Sequence, residues 1–296
     1  MASKDESDFK KVTVDLENLR LPVTVLSWNI NGEKPANARR RMIESAISYI
    51  DPDVMLLQET KNSIINPKVD SHRLRSLDKY ISVQAGKMEQ AQVFYKKNGK
   101  FEEVSSSTVN SKLHKILKEL FPENESLQLG RRSVRVRKLI RNRACVVHLR
   151  HKLTKREIIF ISYHNIAKGG GRGGVETKAS QFCKIIAKLH ESTKCCVIAG
   201  VDFNCSDFDF TDVTVQDYEE TLRRKEPKIK KKVDYFILSD NAPVDRVVVE
   251  AFDLFPQNNE APFYKILQRL LQHNTTEDQY KKANDHDPLK LSMQIS

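Results

Sequence analysis

No stretch of this 296-residue chain approaches the roughly 18 to 20 consecutive apolar residues that a membrane-spanning helix needs. The opening MASKDESDFKK is polar and charged and lacks the apolar centre of a secretion signal. The sequence therefore predicts an intracellular protein, cytoplasmic or nuclear, without a signal peptide. Cysteine is scarce: the five are Cys145, Cys183, Cys195, Cys196 and Cys205, an odd count with no CxxC pair. That argues against a disulfide framework and against zinc, and predicts buried free thiols in a reducing compartment. Glycine is scarce too, and five of the ten fall in KGGGRGG, Lys168 to Gly174. No Gly-Lys-Ser/Thr follows, which excludes a Walker phosphate loop. Internal repeats and linker-like segments are absent.

What the chain has in surplus is positive charge, +11 at pH 7, which favours polyanionic partners. Nine Lys and Arg fall between Arg131 and Lys152. In an extended segment, Arg135 and Arg137 would share one face and could follow a phosphate backbone; an ordinary solvated face is the alternative. KIKKK, Lys228 to Lys232, is a second basic run, and a plain charged loop explains it equally well.

Residues 1–20 carry no clear periodicity and are expected to form a flexible tail ahead of a domain spanning 21–296. Apolar, β-branched runs predict strands at Val23 to Asn29, Asp53 to Glu59, Ile81 to Gln84, Gln92 to Lys97, Ser133 to Leu139, Ala144 to Leu149, Glu157 to Tyr163, Cys195 to Phe203, Val233 to Ser239 and Val244 to Phe252. PLKLSMQI alternates like an outer strand. Helical spacing is found after Arg39 until Asp51-Pro52, and over Lys112 to Phe121, Val175 to Leu189 and Phe263 to His273. Many strands with a few helices predict an α+β fold of two packed sheets flanked by helices.

The apolar strands repeatedly end in acids, amides or histidines. VTVLSWN runs into Asn29 and Asn31, VMLLQE ends in Glu59, and IIFISYH in His164. CVIAGVDFN carries Asp202 and Asn204, KKVDYFIL opens with Asp234, and Asn284-Asp285-His286 precedes the last strand. A carboxylate against a buried strand is costly unless something compensates it. Taken singly, Glu59 reads as a paired or capping acid, His164 as a satisfied core histidine, and Asp-x-Asn as a turn. Together, such groups converging from several strand ends would form a hard-cation site with positions open for water and phosphate. Mg²⁺ suits it and Mn²⁺ is possible. The histidines would polarise a phosphoryl oxygen or manage protons.

The motifs LSWNING, LLQET, ISYHN, AGVDFN, VDYFIL and NDHDPL, in that order from about Val23 onward, resemble the endonuclease/exonuclease/phosphatase superfamily. The resemblance implies a DNase I-like four-layer α/β/β/α sandwich and hydrolysis of a phosphodiester by metal-assisted in-line attack of water. It implies Glu59 as principal metal ligand with Asn29 beside it and Asp285 as a further metal-linked acid. Asn31 is the other amide that could serve there; Asn29 is preferred because it closes the strand. Asp202 would orient or deprotonate the water, Asn204 would hold it or a phosphate oxygen, and His286 and His164 would bind phosphate oxygens, with Asp234 fixing the His286 tautomer. Ser162 and Val201 depart from the residues common in the family, and neither change removes an implied ligand.

Three functions compete at this stage. The first is a Mg²⁺-dependent nuclease on DNA or RNA. The second is the same machinery acting on a small phosphodiester, phosphoinositide or lipid headgroup. The third is a non-catalytic nucleic-acid-binding module. The SYHN segment resembles the DNase I, deadenylase, sphingomyelinase and inositol-phosphatase branches more than the abasic-site branch. The glycine-rich segment after His164 could be a mobile lip presenting Lys168 and Arg172 to substrate, or a plain surface loop. Nothing in the sequence marks an oligomeric interface.

Overall fold

The computed structural model describes residues 22–30, 37–60, 74–84, 91–129, 132–165, 171–205, 208–210, 213–217, 222–223, 230–231, 234–239, 244–252, 254, 263–271, 286 and 288–295. The expected N-terminal tail lies outside them.

The strands are β1 (Val23–Asn29), β2 (Val54–Gln58), β3 (Tyr80–Gln84), β4 (Ala91–Lys96), β5 (Phe101–Glu103), β6 (Ser126–Leu129), β7 (Arg132–Arg135), β8 (Ala144–His151), β9 (Glu157–His164), β10 (Cys196–Asp202), β11 (Val213–Asp217), β12 (Leu222–Arg223), β13 (Lys230–Lys231), β14 (Asp234–Ser239), β15 (Val244–Ala251) and β16 (Leu289–Ile295). The helices are α1 (Asn37–Ile50), α2 (Ser106–Leu120), α3 (Val136–Arg143), α4 (Gly171–Thr193) and α5 (Tyr264–Leu271). One six-stranded sheet runs β15-β16-β1-β2-β4-β3 and the other β11-β14-β10-β9-β8-β5.

Three apolar clusters define four layers. Val25, Leu56, Phe160, Ile198 and Phe236 belong to the core between the sheets. Leu26, Trp28, Met55 and Leu57 face outward onto Met42, Ile43, Ala46 and Ile47 of α1 and Phe263 beside α5. Ile159, Ile161, Val197 and Ala199 face outward onto Phe182, Ile185 and Ile186 of α4 and onto α2 and α3. Both faces of β1, β2, β9 and β10 are thus covered, which is why these strands are continuously apolar instead of alternating. The expected α/β/β/α sandwich is what the chain forms.

Local rules set the element ends. Helix α1 stops where Asp51 turns left-handed, φ 47°, with its N–H bonded to Ile47 O at 2.9 Å. Its apolar stripe is Met42, Ile43, Ala46 and Ile47, while Tyr49 is exposed.

Several expectations are corrected. The strand expected over Ser133 to Leu139 ends at Arg135, and Val136 opens α3. Val136 and Ile140, one helical turn apart, are its buried pair, so Arg135 and Arg137 do not share a strand face. Gly171 to Gly174, expected as loop, are the first turn of the long α4. Helix α2 begins six residues earlier than its apolar spacing suggests, at Ser106, through a polar first turn. Strand β16 is not an outer strand: it pairs with both β15 and β1. Its alternation records that Leu289, Leu291 and Met293 point into the inter-sheet core while Lys290, Ser292 and Gln294 do not.

Candidate active site

The chain direction of five strands brings the polar residues together. Strands β1 and β2 are parallel, so Asn29 and Gln58 end level with each other, and Glu59 follows. Strands β9 and β10 are parallel and end level at His164 and Asp202. Strand β14 runs antiparallel to β10, so its first residue, Asp234, lies opposite Asp202.

Pleat alternation then points the right side chains inward. On the inner face, Val25 and Val54 of one sheet and Phe160, Ile198 and Leu238 of the other form the apolar level. One step further lie Ser27, Leu56, Ser162, Gly200 and Phe236, all buried. One step beyond come Asn29, Gln58, His164, Asp202 and Asp234, also buried. The core therefore passes from apolar side chains, through a level where Ser27, Ser162 and Gly200 first interrupt them, to the polar residues of the site.

Gln58 reaches back from the polar end and joins the two sheets. Gln58 Nε2 lies 3.0 Å from Gly200 O, 3.2 Å from Ser162 Oγ and 3.3 Å from Ser27 Oγ. Ser162 Oγ donates to Leu57 O at 2.8 Å. A Cβ on Gly200 would stand 2.5 Å from Ser27 Oγ, so only glycine allows this approach.

In the outer layer, Asn29 Nδ2 donates across the sandwich to Asp202 Oδ2 at 2.7 Å and to Glu59 Oε1 at 3.3 Å. Glu59 reaches in from a left-handed backbone, φ 52°. His164 Nε2 lies 3.3 Å from Glu59 Oε1 and 3.7 Å from Asp202 Oδ2. His286 Nδ1 meets Asp234 Oδ2 at 2.8 Å, and the indole N–H of Trp28 holds the His286 carbonyl at 3.0 Å. One ligating atom each from Asp202, Asp234 and His286 lie within 4.8 Å of one another. Asn204, itself left-handed at φ 56°, donates its backbone N–H to Asp202 Oδ1 at 2.9 Å.

Burial, and then the neighbouring Asp234 charge, push the Asp202 carboxyl up to about 7; His286, the Asn29 amide and the Asn204 N–H pull the other way. Negative charge is thus crowded here among oxygen-rich donors. That environment fits a hard divalent cation, which would relieve the repulsion.

Of the residues expected from sequence, the structure brings together Asn29, Glu59, His164, Asp202, Asn204, Asp234 and His286. Asn31, Asp285 and Lys168 lie outside the described residues, as does the side chain of Arg172. Sequence reasoning missed Arg143. It donates from Nε to His164 O at 2.6 Å and from Nη2 to His164 Nδ1 at 3.1 Å and Asn165 O at 2.8 Å. A guanidinium only donates, so His164 Nδ1 accepts and the ring proton sits on Nε2. Arg143 was hidden in a basic run; its position at the last turn of an amphipathic helix, one residue before a buried strand, was the available signal. Asn165 was also unassigned. Its N–H bonds Asp202 O at 2.8 Å and its Nδ2 bonds Phe203 O at 3.0 Å, tying the two strand ends.

The endonuclease/exonuclease/phosphatase family pattern matches residues 26–252. The chain belongs to that family. Its members are metal-dependent phosphodiesterases, nucleases or phosphatases, hydrolases of phosphoester bonds. No curated protein sequence matches the chain. Among solved structures, the human Nocturnin catalytic domain with bound sulfate shares 15% identity over 94% of this chain and 96% of its own, with a TM-score of 0.57. Danio rerio TDP2 in complex with a single-strand DNA product shares 14%, covering 92% and 99%, TM-score 0.54. A mannosyl-6-phosphatase from Bacteroides thetaiotaomicron shares 16%, covering 92% and 99%, TM-score 0.54. At these identities the likeness is one of fold. Among the described residues of this family member, no helix is long and apolar enough to cross a membrane.

Proposed function

We propose that the protein is a Mg²⁺-dependent phosphodiester hydrolase that cuts nucleic acid. The observation that carries this reading is the contact of Asn29 with Asp202 across the sandwich and with Glu59 beside it. It joins the ends of two sheets into one oxygen-rich cluster flanked by two histidines.

In this reading Glu59, with Asn29 and Asp285, holds the cation, with Mn²⁺ as a substitute. The bound cation supplies Lewis-acid stabilisation of charge on the phosphate. Asp202, buried and held on both oxygens by Asn29 and Asn204, orients the water and takes its proton. The new bond forms from water oxygen to phosphorus, in line with the breaking ester bond. His164, proton on Nε2, donates to a non-bridging oxygen. His286, its Nδ1–H held by Asp234 Oδ2, would donate to a phosphate oxygen from Nε2 as the imidazolium. Asn204 and Asn31 contact the water or the phosphate. Lys168 and Arg172 would supply positive charge at the lip, and replacing both with Ala should raise KM for a polyanionic substrate.

The net charge of +11 supports a polyanion as substrate. Among proteins of the same fold, one was captured with a single-strand DNA product. The second reading is a small phosphate ester, supported by the mannosyl-6-phosphatase of like fold.

The test is cleavage of labelled single- and double-stranded DNA and RNA, and of a chromogenic small phosphodiester, with Mg²⁺ or EDTA. Wild type is compared with Asp202→Ala and Glu59→Ala. The proposal expects metal-dependent cutting of nucleic acid that each substitution lowers about 100-fold or more. Turnover of the small ester alone would transfer the site to the second reading. Salt-sensitive nucleic-acid binding without turnover under any divalent metal would mark a binding module.

A further inference from the structure

A second cluster of ligating side chains sits at the other end of β9. His148 comes from β8, Glu157 is the first residue of β9, and Cys195 lies in the tight turn between α4 and β10. His148 Nε2 is 3.0 Å from Glu157 Oε2, Cys195 Sγ is 3.6 Å from His148 Nε2, and Cys195 Sγ is 3.9 Å from Glu157 Oε2. His148 and Cys195 are both buried. Glu157 and His164 are the two ends of one strand, seven residues apart, about 23 Å in extended chain. The cluster is therefore separate from the candidate active site.

We infer that His148, Glu157 and Cys195 form a zinc site of the Cys-His-Glu type, with water as fourth ligand. Four-coordinate zinc takes sulfur at about 2.3 Å and imidazole nitrogen or carboxylate oxygen at about 2.0–2.2 Å, which sets ligand atoms about 3.2–3.7 Å apart at tetrahedral angles. The observed triangle needs adjustments of only a few tenths of an ångström to match. A sulfur, a nitrogen and an oxygen together suit a borderline-soft cation over Mg²⁺ or Ca²⁺.

The surroundings hold each ligand in place. Arg150 donates twice to Glu157 Oε1, at 2.7 and 3.2 Å, leaving Oε2 as the atom turned toward the histidine and thiol. Lys194 takes a left-handed turn, φ 59°, with its N–H on His190 O at 2.7 Å. Cys195 is then gripped on both sides: its N–H donates to Thr193 Oγ1 at 3.2 Å and its carbonyl meets His190 Nδ1 at 2.7 Å. Burial holds His148 below the usual imidazole range. Burial raises the Cys195 thiol, so zinc binding releases its proton. Thiolate and carboxylate together then neutralise the ion. Cys195 Sγ also lies 3.6 Å from Thr193 O, a contact that zinc would replace. The lack of a CxxC pair is no obstacle, because the three ligands come from distant segments that the fold alone assembles. The site would pin β8, β9 and the α4–β10 turn together.

The test uses the full chain, freed of metal by a chelator and titrated with Co²⁺ and then Zn²⁺. Co²⁺ held by Cys195 should give a near-ultraviolet thiolate-to-metal charge-transfer band at one equivalent, abolished by zinc. The band should be lost in Cys195→Ser and His148→Gln and kept in Glu59→Gln, which touches the other site. Zinc should raise the Tm of wild type but not of Cys195→Ser, whose hydrolytic activity should be unchanged. If the serine variant fails to fold, alkylation of wild type decides: zinc should protect Cys195 from iodoacetamide, read by peptide mass. No thiolate band in folded wild type, a band undiminished in Cys195→Ser, or Cys195 unprotected by zinc would each overturn the site.

Discussion

Asp202 is fully buried, yet it carries the acid that the proposed chemistry needs charged. Without a cation its carboxyl is raised from 3.8 to about 7, by burial and then by Asp234. Between those values the folded protein holds a proton that the unfolded chain has released. The stability this group contributes is full below about pH 4 and is lost as pH rises through about 7. Metal-free protein should therefore melt at falling temperature from about pH 4 to 7, and Asp202→Asn should lack that part of the slope. A divalent cation at about pH 8 should restore the wild-type Tm. Thermal melts across pH in EDTA and in Mg²⁺ check both; identical slopes in wild type and Asp202→Asn would place the effect in another group. Arg143 makes a second prediction. Arg143→Ala should lower kcat about 10- to 100-fold with KM nearly unchanged, because it orients His164 without touching substrate. Arg143→Lys should not recover the loss, since a compact ammonium does not reproduce the separate positions of Nε and Nη2 that reach the His164 ring and the two carbonyls. Steady-state kinetics on whichever ester is turned over decides it; an unchanged kcat would remove Arg143 from the site.

At the scale of elements, the sheets approach closely where Gly200 faces Ser27. Gly200→Ala would push a methyl within 2.5 Å of Ser27 Oγ and 2.9 Å of Leu56 Cδ1. Destabilisation of about 1–3 kcal/mol is expected, read by urea unfolding, with partial recovery in the Ser27→Gly/Gly200→Ala double variant. A neutral Gly200→Ala would mean that the sheets can move apart there. The strands that meet at this point were legible in the sequence because both of their faces are buried, which makes them continuously apolar and bounded by polar ends. Their inward-facing ends were legible for the same reason: Asn29, His164 and Asp202 break apolar runs where no turn demands it. Helix α3 was not legible. Its alternation of arginine with Val and Ile satisfies a strand period as well as a helical one over so few residues, and only the burial of Val136 and Ile140 decides. Arg143 was lost with it, because its role depends on the helix pointing it back at β9.

At the scale of the molecule, the charge of +11 is a statement about long polyanions. If the substrate is a nucleic acid, KM should rise steeply with salt, by about 0.9 log unit per log unit of salt for each duplex phosphate contacted. KM for a small phosphodiester should barely move. Equal salt slopes for the two would detach the charge from substrate binding. The layer order was legible from the mix of elements, whereas the place of β16 inside its sheet was not, since alternation reports which face is buried and not which strands lie beside it. The chain has one tryptophan, Trp28, buried between β1 and α1 with its indole N–H on the carbonyl of His286. Its emission therefore belongs to a single place in the molecule. Light absorbed there comes back coloured by one hydrogen bond, so any ligand that shifts His286 announces itself in the fluorescence without a label, a coupled assay or a turnover.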